Sequence, residues 1–219
     1  GQLLHEGTIA ESQLHPPGPC SNDVVLFTHT ATYVRKLLSG DLSPREQRVI
    51  GFPCSPRLIE REWIITQGTI DAARAALANG IALNVAGGTH HAFTDHGEGF
   101  CLLNDQAVAA HYLLHQQLVK QILIVDLDVH QGNGTARIFQ SDSRVFTFSM
   151  HGKHNYPFHK EKSDLDIELP DGIGDDAYLG LLKTALPDLI QQIRPDMVFY
   201  QAGVDILETD RFGKLNISL

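Results

Sequence analysis

Residues 126–130, with the sequence DLDVH, place two carboxylates and an imidazole directly after an apolar, β-branched run at 122–125. Side chains alternate between the two faces of a strand, so Asp126, Asp128 and His130 share one side if the strand continues. Where water is excluded, two carboxylates this close repel each other strongly unless a cation or hydrogen bonds hold them. Because one histidine and two carboxylates can bind a divalent metal and leave a coordination position open, the segment predicts a metal site. The alternative is that these groups cap neighbouring helices.

Two other apolar runs also lead into groups that carry chemistry. The run at 81–86 is followed by Gly-Gly-Thr and then by His90 and His91, and the run at 197–200 is followed by Asp205. Ligands of open parallel sheets bind beyond the carboxyl ends of the strands. We therefore expect all three groups to reach one edge of the sheet, with Asp205 as a third metal ligand. A histidine beside a metal-bound water can act as a general base near neutral pH.

Apolar runs alternate with helical patterns along most of the chain. This alternation predicts an α/β fold with three α/β/α layers and a mostly parallel central sheet covered on both faces. Strands are predicted at 24–27, 81–86, 122–129, 145–150 and 197–202. Helices are predicted at 31–38, from 43 onward, at 57–79 in more than one piece, at 105–118, at 135–139 and at 175–193, the last bent or split at Pro187.

The composition indicates which classes of partner and which cellular compartment suit this protein. The formal net charge is -9 and no basic run is present, which argues against direct binding to nucleic acid. No apolar run approaches the ~18 residues of a membrane span, and the first residues lack the pattern of a signal peptide. Cys20, Cys54 and Cys101 form neither a disulfide framework nor a zinc-finger spacing, which favours a reducing, cytoplasmic location.

Four segments together resemble the histone deacetylase family. Residues 87–92 (GGTHHA) and 99–105 (GFCLLND) are similar to its histidine-pair region, and residues 126–135 (DLDVHQGNGT) are similar to its metal-binding signature. Residues 201–205 (QAGVD) resemble the segment that supplies its third metal ligand. The order of these segments along the chain and the number of residues between them also agree with the family. The resemblance implies an arginase/deacetylase-like fold, a single deacetylase domain over residues 1–219, and a position near the class IV and bacterial branch.

The resemblance also implies a zinc-dependent deacetylase that hydrolyses acetyl-lysine in proteins, or a related acylated small amine, with metal-activated water. The metal ligands that it implies are Asp128, His130 and Asp205. His91 is then the general base, His90 paired with Asp126 is its electrostatic neighbour, and Asn133 orients the ring of His91. An aspartate stands at this last position in class I members, so we expect Asn133 to raise the pKa of His91 less than a carboxylate would.

The resemblance extends to a substrate tunnel and to a second cation. The tunnel residues that it implies are Gly99, Phe100 and Tyr156. A structural K⁺ is implied at Asp126, Asp128, His130, Ser149 and Met150, several of them through backbone oxygens.

One feature of the family has no counterpart in this sequence. Family members carry a tyrosine after a glycine-rich segment, and the tyrosines at 33, 112, 156, 178 and 200 lack that context. We therefore expect a domain that is incomplete at both ends, without its N-terminal start and its C-terminal Gly-rich/Tyr segment. Two other functions stay open: an arginase-like metal hydrolase, and an acyl-lysine-binding module with impaired catalysis.

Overall fold

Four parallel strands form the central sheet of the protein, in the order β3-β2-β1-β4. The computed structural model describes all residues, 1–219. The strands are β1 (Ile122–Asp126), β2 (Val145–Gly152), β3 (Leu165–Leu169) and β4 (Met197–Gln201). The helices are α1 (Gln2–His5), α2 (Asn22–Val25), α3 (Ala31–Ser39), α4 (Pro44–Ile50), α5 (Pro56–Asn79), α6 (Asp105–His115), α7 (Asn133–Phe139) and α8 (Asp175–Ile193), with a 3-10 turn at Glu11–Gln13.

Strand β1 divides its buried side chains between two cores. Ile122 and Ile124 join a core cluster with residues of α5, α6 and α7, whereas Leu123 and Val125 join a cluster with residues of α8. Because side chains alternate across a strand, burial on both faces requires helices on both faces. The three-layer α/β/α architecture and the parallel sheet predicted from the sequence are thus confirmed.

Helix starts follow the capping residues that the sequence displays. The side chains of Thr30, Ser43 and Asn104 accept hydrogen bonds from backbone N–H groups in the first turns of α3, α4 and α6. At α4 the cap is a full capping box, since Glu46 also accepts from the Ser43 N–H. These helix starts agree with the predicted ones.

The predicted strand at 81–86 does not form. This segment lies in irregular structure, and Ile81, Leu83 and Val85 are 78%, 81% and 87% exposed. Apolar residues alone favour a strand, but a strand exists only where a neighbour pairs with its backbone, and β4 pairs only with β1. The prediction at 24–27 is also wrong, because those residues complete and follow the short helix α2.

Two helices are less interrupted than predicted, and one strand was not foreseen. Helix α5 runs unbroken over 24 residues, and the hydroxyls of Thr66 and Thr69 bond to carbonyls four residues earlier instead of breaking it. Helix α8 contains Pro187 without splitting. Strand β3 was not predicted because most of its side chains are half-buried and charged residues interrupt the run.

No helix in the chain has the length and apolar character needed to cross a membrane.

Candidate metal centre

Asp128, His130 and Asp205 converge beyond the carboxyl ends of β1 and β4. One potential ligand atom from each lies within 4.8 Å of the other two. The His130 Nδ1 is 3.0 Å from Asp128 Oδ1 and 3.0 Å from Asp205 Oδ2. Parallel neighbours end at the same edge of a sheet, which is why residues so distant in the chain meet here.

Backbone N–H groups hold the carboxylates of this triad in place. The His130 N–H donates to Asp128 Oδ1 at 2.8 Å, and the Val129 N–H donates to Asp205 Oδ1 at 3.1 Å. Burial acts to lower the pKa of His130, but hydrogen bonds to Asp128 and Asp205 outweigh burial and raise this pKa to about 9. Two carboxylates that crowd one imidazole form a donor set with an excess of negative charge, and this set fits a divalent cation.

His90 forms a buried pair with Asp126 beside the triad. Its Nδ1 is 2.7 Å from Asp126 Oδ2, and its Nε2 is 3.9 Å from Asp128 Oδ1. Burial alone would lower the pKa of His90, but the nearby carboxylates outweigh burial and raise this pKa to about 9. Gly132 permits the close approach, because a β-carbon there would collide with Asp126 Oδ2. The pairing with Asp126 thus favours the protonated form of His90.

His91 has the opposite electrostatic character. Its ring lies 4.2 Å from that of His90 and 6.0 Å from that of His130, measured between centroids. Burial and the neighbouring His90 lower the pKa of His91 well below its ordinary value. Its Nδ1 is 2.7 Å from Asn133 Oδ1. A neutral imidazole beside a metal triad can accept a proton.

Two of the three predicted tunnel residues, Gly99 and Tyr156, lie against His91. A β-carbon on Gly99 would sit 2.7 Å from His91 Cδ2 and 3.1 Å from Tyr156 Cε1, so only glycine fits between the two rings. Tyr156 presents its ring edge-on to His91 at 5.0 Å. Phe100 is 59% exposed and packs on Phe52, with ring centroids 5.1 Å apart. The structure thus brings Gly99 and Tyr156 to the site and leaves Phe100 open to solvent beside it.

The loop that carries the histidine pair is anchored to the start of α6. The Asn104 Nδ2 donates to Thr135 Oγ1 at 3.0 Å and reaches the carbonyls of His90 and Ala92 at 3.4 and 3.3 Å. The carboxylate of Asp105 accepts from the N–H groups of Gly88 and Thr89. These contacts explain how both histidines reach the triad although no strand precedes them. The sequence indicated Asn104 as a helix cap but not as this anchor.

Glu98 is a site residue that sequence reasoning missed. One of its oxygens, Oε1, accepts from Asn133 Nδ2 at 2.5 Å and from the Tyr156 hydroxyl at 2.8 Å. The side chain is only 17% exposed. Nothing in the local pattern distinguishes this glutamate from a solvated one, and only its distant partners reveal a role.

Three of the five residues expected to bind K⁺ lie on adjacent strands. Asp126 of β1 lies opposite Ser149 of β2 in the parallel register, and Met150 follows Ser149. Asp128 and His130 lie just past the end of β1. The Ser149 hydroxyl is 2.9 Å from the Nδ1 of His151, a fully buried histidine.

A family model of the histone deacetylase domain matches residues 2–219 of this chain. An uncharacterized protein of Picosynechococcus is 49% identical over 98% of the chain, and the match covers 72% of that protein. Histone deacetylase 2 of Arabidopsis thaliana is 31% identical over 99% of the chain, and here the match covers 58% of the relative.

Solved structures show the same fold. The crystal structure of an HDAC homolog from Aquifex aeolicus superimposes with a TM-score of 0.83 at 27% identity, over 96% of this chain and 62% of that one. A crystal structure of an HDAC homolog complexed with SAHA gives a TM-score of 0.84, also at 27% identity, with 96% of this chain and 62% of that one covered. The chain therefore spans less than two thirds of the length of these solved relatives.

Proposed function

Because this chain belongs to the histone deacetylase family, we propose that it hydrolyses the amide of acetyl-lysine or of a related acylated amine in a zinc-dependent reaction. The observation that carries the proposal is the convergence of Asp128, His130 and Asp205 next to a neutral, buried His91. An arginase-like site with two metals would need more bridging ligands than this single triad offers.

Asp128, His130 and Asp205 would hold the Zn²⁺. When bound, this ion supplies a Lewis acid for an acyl carbonyl and lowers the pKa of water from about 15.7 toward ~7. The negative charge of the two aspartates and the nitrogen of His130 suit such a cation. Zinc rather than another divalent metal is part of the proposal.

His91 acts as the general base. Its Nδ1 faces the amide oxygen of Asn133, so in the neutral ring Nδ1 carries the proton and Nε2 keeps a lone pair for a proton from water. His90, held as a cation by Asp126, supplies positive charge close to the reacting atoms. His90 and the protonated His91 would then stabilise negative charge that develops on the acyl oxygen, and His91 would return its proton to the leaving amine.

The resemblance to the family and the composition of the chain support proposals for the substrate path, a second cation and the cellular location. Gly99, Phe100 and Tyr156 would line the path of the acyl chain. A structural K⁺ would bind next to β1 through oxygens of Asp126, Asp128, His130, Ser149 and Met150. All three cysteines are free, which supports a reducing, cytoplasmic location. We propose no direct contact with nucleic acid, in line with the net charge of -9.

Metal content and deacetylation of a fluorogenic acetyl-lysine peptide, measured on the full-length protein, test this function. We expect about one zinc per chain and turnover that a chelator abolishes and zinc restores. Peptides with longer acyl groups and acetylated polyamines extend the substrate test. Bound zinc without turnover of any of these substrates would replace the proposal with an acyl-lysine-binding module. A folded protein without metal would contradict the ligand assignment.

A further inference from the structure

Glu98 is linked to His91 through one intervening side chain. The carboxylate accepts from Asn133 Nδ2 at 2.5 Å, and Asn133 Oδ1 in turn lies 2.7 Å from His91 Nδ1. Asn133 is 3% exposed, and Glu98 is its only side-chain partner besides His91. The three residues therefore form a chain of two hydrogen bonds that ends on the imidazole.

Glu98 determines which atoms donate and which accept in these two hydrogen bonds. An ionised carboxylate can only accept hydrogen bonds, whereas an amide has one donating and one accepting end. Next to Glu98 the amide of Asn133 must therefore present its NH₂ group, which leaves its oxygen for His91. An amide oxygen cannot donate, so His91 Nδ1 must carry the proton.

The carboxylate itself is held from a second side. The Tyr156 hydroxyl donates to the same Glu98 oxygen at 2.8 Å. Burial and this hydrogen bond raise the pKa of Tyr156 above its usual range, so the hydroxyl keeps its proton and stays a donor. Glu98 is thus fixed by two donors on one oxygen.

We propose that Glu98 is a positioning residue that fixes the amide of Asn133 and thereby keeps neutral His91 in the tautomer with the proton on Nδ1. This inference rests on the proposed function in one respect, namely that His91 Nε2 is the proton acceptor. Without the carboxylate the amide can rotate by half a turn and present its NH₂ to His91 Nδ1. The ring would then carry its proton on Nε2 and could not accept one there.

Exchanging the two side-chain types, so that an amide stands at position 98 and a carboxylate at position 133, tests the direction of these hydrogen bonds. Glu98→Gln leaves an amide that can face Asn133 with either end, and we expect a kcat about tenfold lower with KM within about twofold, a small part of what a general base contributes. Asn133→Asp alone sets two carboxylates against each other and is also impaired. In the double variant, the amide now at position 98 donates to the carboxylate now at position 133. That carboxylate accepts from His91, so kcat returns to within about threefold of the wild type.

Nitrogen-15 NMR of histidine-labelled full-length protein reports the tautomer without any need for turnover. Wild-type His91, assigned with His91→Ala, should show a protonated Nδ1, and Glu98→Gln should show a mixture of the two tautomers. Glu60→Gln, at an exposed position of α5, is the matched control and should change neither measurement.

Three results would overturn the inference: a wild-type His91 protonated on Nε2, an unchanged kcat and tautomer in Glu98→Gln, or a double variant no faster than its slower parent. A wild-type protein that turns over no acylated amine defeats the proposed function instead. In that case the NMR spectra still decide whether Glu98 sets the tautomer.

Discussion

Gly99 lies directly against the ring of His91, where a β-carbon would come within 2.7 Å of Cδ2. Its backbone also has a φ of +56°, a conformation that disfavours any other residue. We predict that Gly99→Ala tilts the imidazole and lowers kcat/KM by about 10- to 100-fold, since small misplacement of a catalytic group is costly. Metal content should stay the same. Gly180→Ala, in open space on α8, is the control and should leave activity intact; equal activity of both variants would contradict the prediction.

Asp205 is the one proposed metal ligand that does not come from the segment after β1. Asp205→Asn keeps the size of the side chain but removes a negative charge, and the crowded site then attracts a dication less strongly. We expect the zinc content of the purified full-length protein, measured by plasma mass spectrometry, to fall below about a tenth of the wild-type value. Asp188→Asn on the exposed side of α8 should retain its zinc. Full metal occupancy in Asp205→Asn would refute the assignment.

Replacement of His91 should separate catalysis from metal binding. His91→Ala removes the neutral imidazole but none of the triad, so we expect kcat to fall by about 10²–10⁴-fold at an unchanged zinc content. His115→Ala, at the exposed end of α6, should behave like the wild type. Loss of zinc in His91→Ala would instead indicate that this histidine is a ligand.

Asn104 contributes to stability through both ends of its amide. Its Oδ1 caps α6, and its Nδ2 holds the histidine loop and Thr135. The side chain is fully buried, so Asn104→Ala leaves several polar groups without partners and should lower the free energy of unfolding by about 2–4 kcal/mol. Ser43→Ala, which removes only the exposed cap of α4, should cost about 1 kcal/mol. Denaturant unfolding at fixed pH measures both, and equal losses would disprove the anchoring role.

Glu62 should make stability depend on pH. Burial raises the pKa of this carboxyl to about 7, against a smaller opposing effect of Arg61. The folded state therefore holds a proton that the unfolded state has already released, and stability falls as pH rises from about 4.5 to about 7. We expect Glu62→Gln to be more stable than the wild type at pH 8, by on the order of 2 kcal/mol, and nearly equal to it at pH 4. A difference that does not change with pH would rule out this cause.

The structure confirms the elements whose cues are local. Thr30, Ser43 and Asn104 each precede a helix that begins where the sequence predicts it. In each case the side chain of the capping residue accepts a hydrogen bond from the backbone N–H three residues later, in the first turn. The apolar run after position 121 forms β1, and all five of its residues are buried because helices cover both faces of the sheet. Such cues depend on neighbours in the sequence and can be read without the fold.

The segment at 81–86 shows where local cues end. Its apolar residues are as suited to a strand as those of β1, yet no neighbouring strand pairs with them. The histidine pair still arrives at the metal triad, because Asn104 and Asp105 tie its loop to α6. The two histidines therefore lie beside Asp128 and His130, although the strand expected to bring them is absent.

By itself, the sequence determined the family, the parallel α/β fold and the candidate ligands Asp128, His130 and Asp205, because motif, spacing and periodicity are properties of short segments. Only the tertiary structure decided that Glu98 meets Asn133 and Tyr156, residues 35 and 58 positions away in the chain. A hydrogen bond between distant residues depends on packing across the whole domain, and no local pattern encodes it.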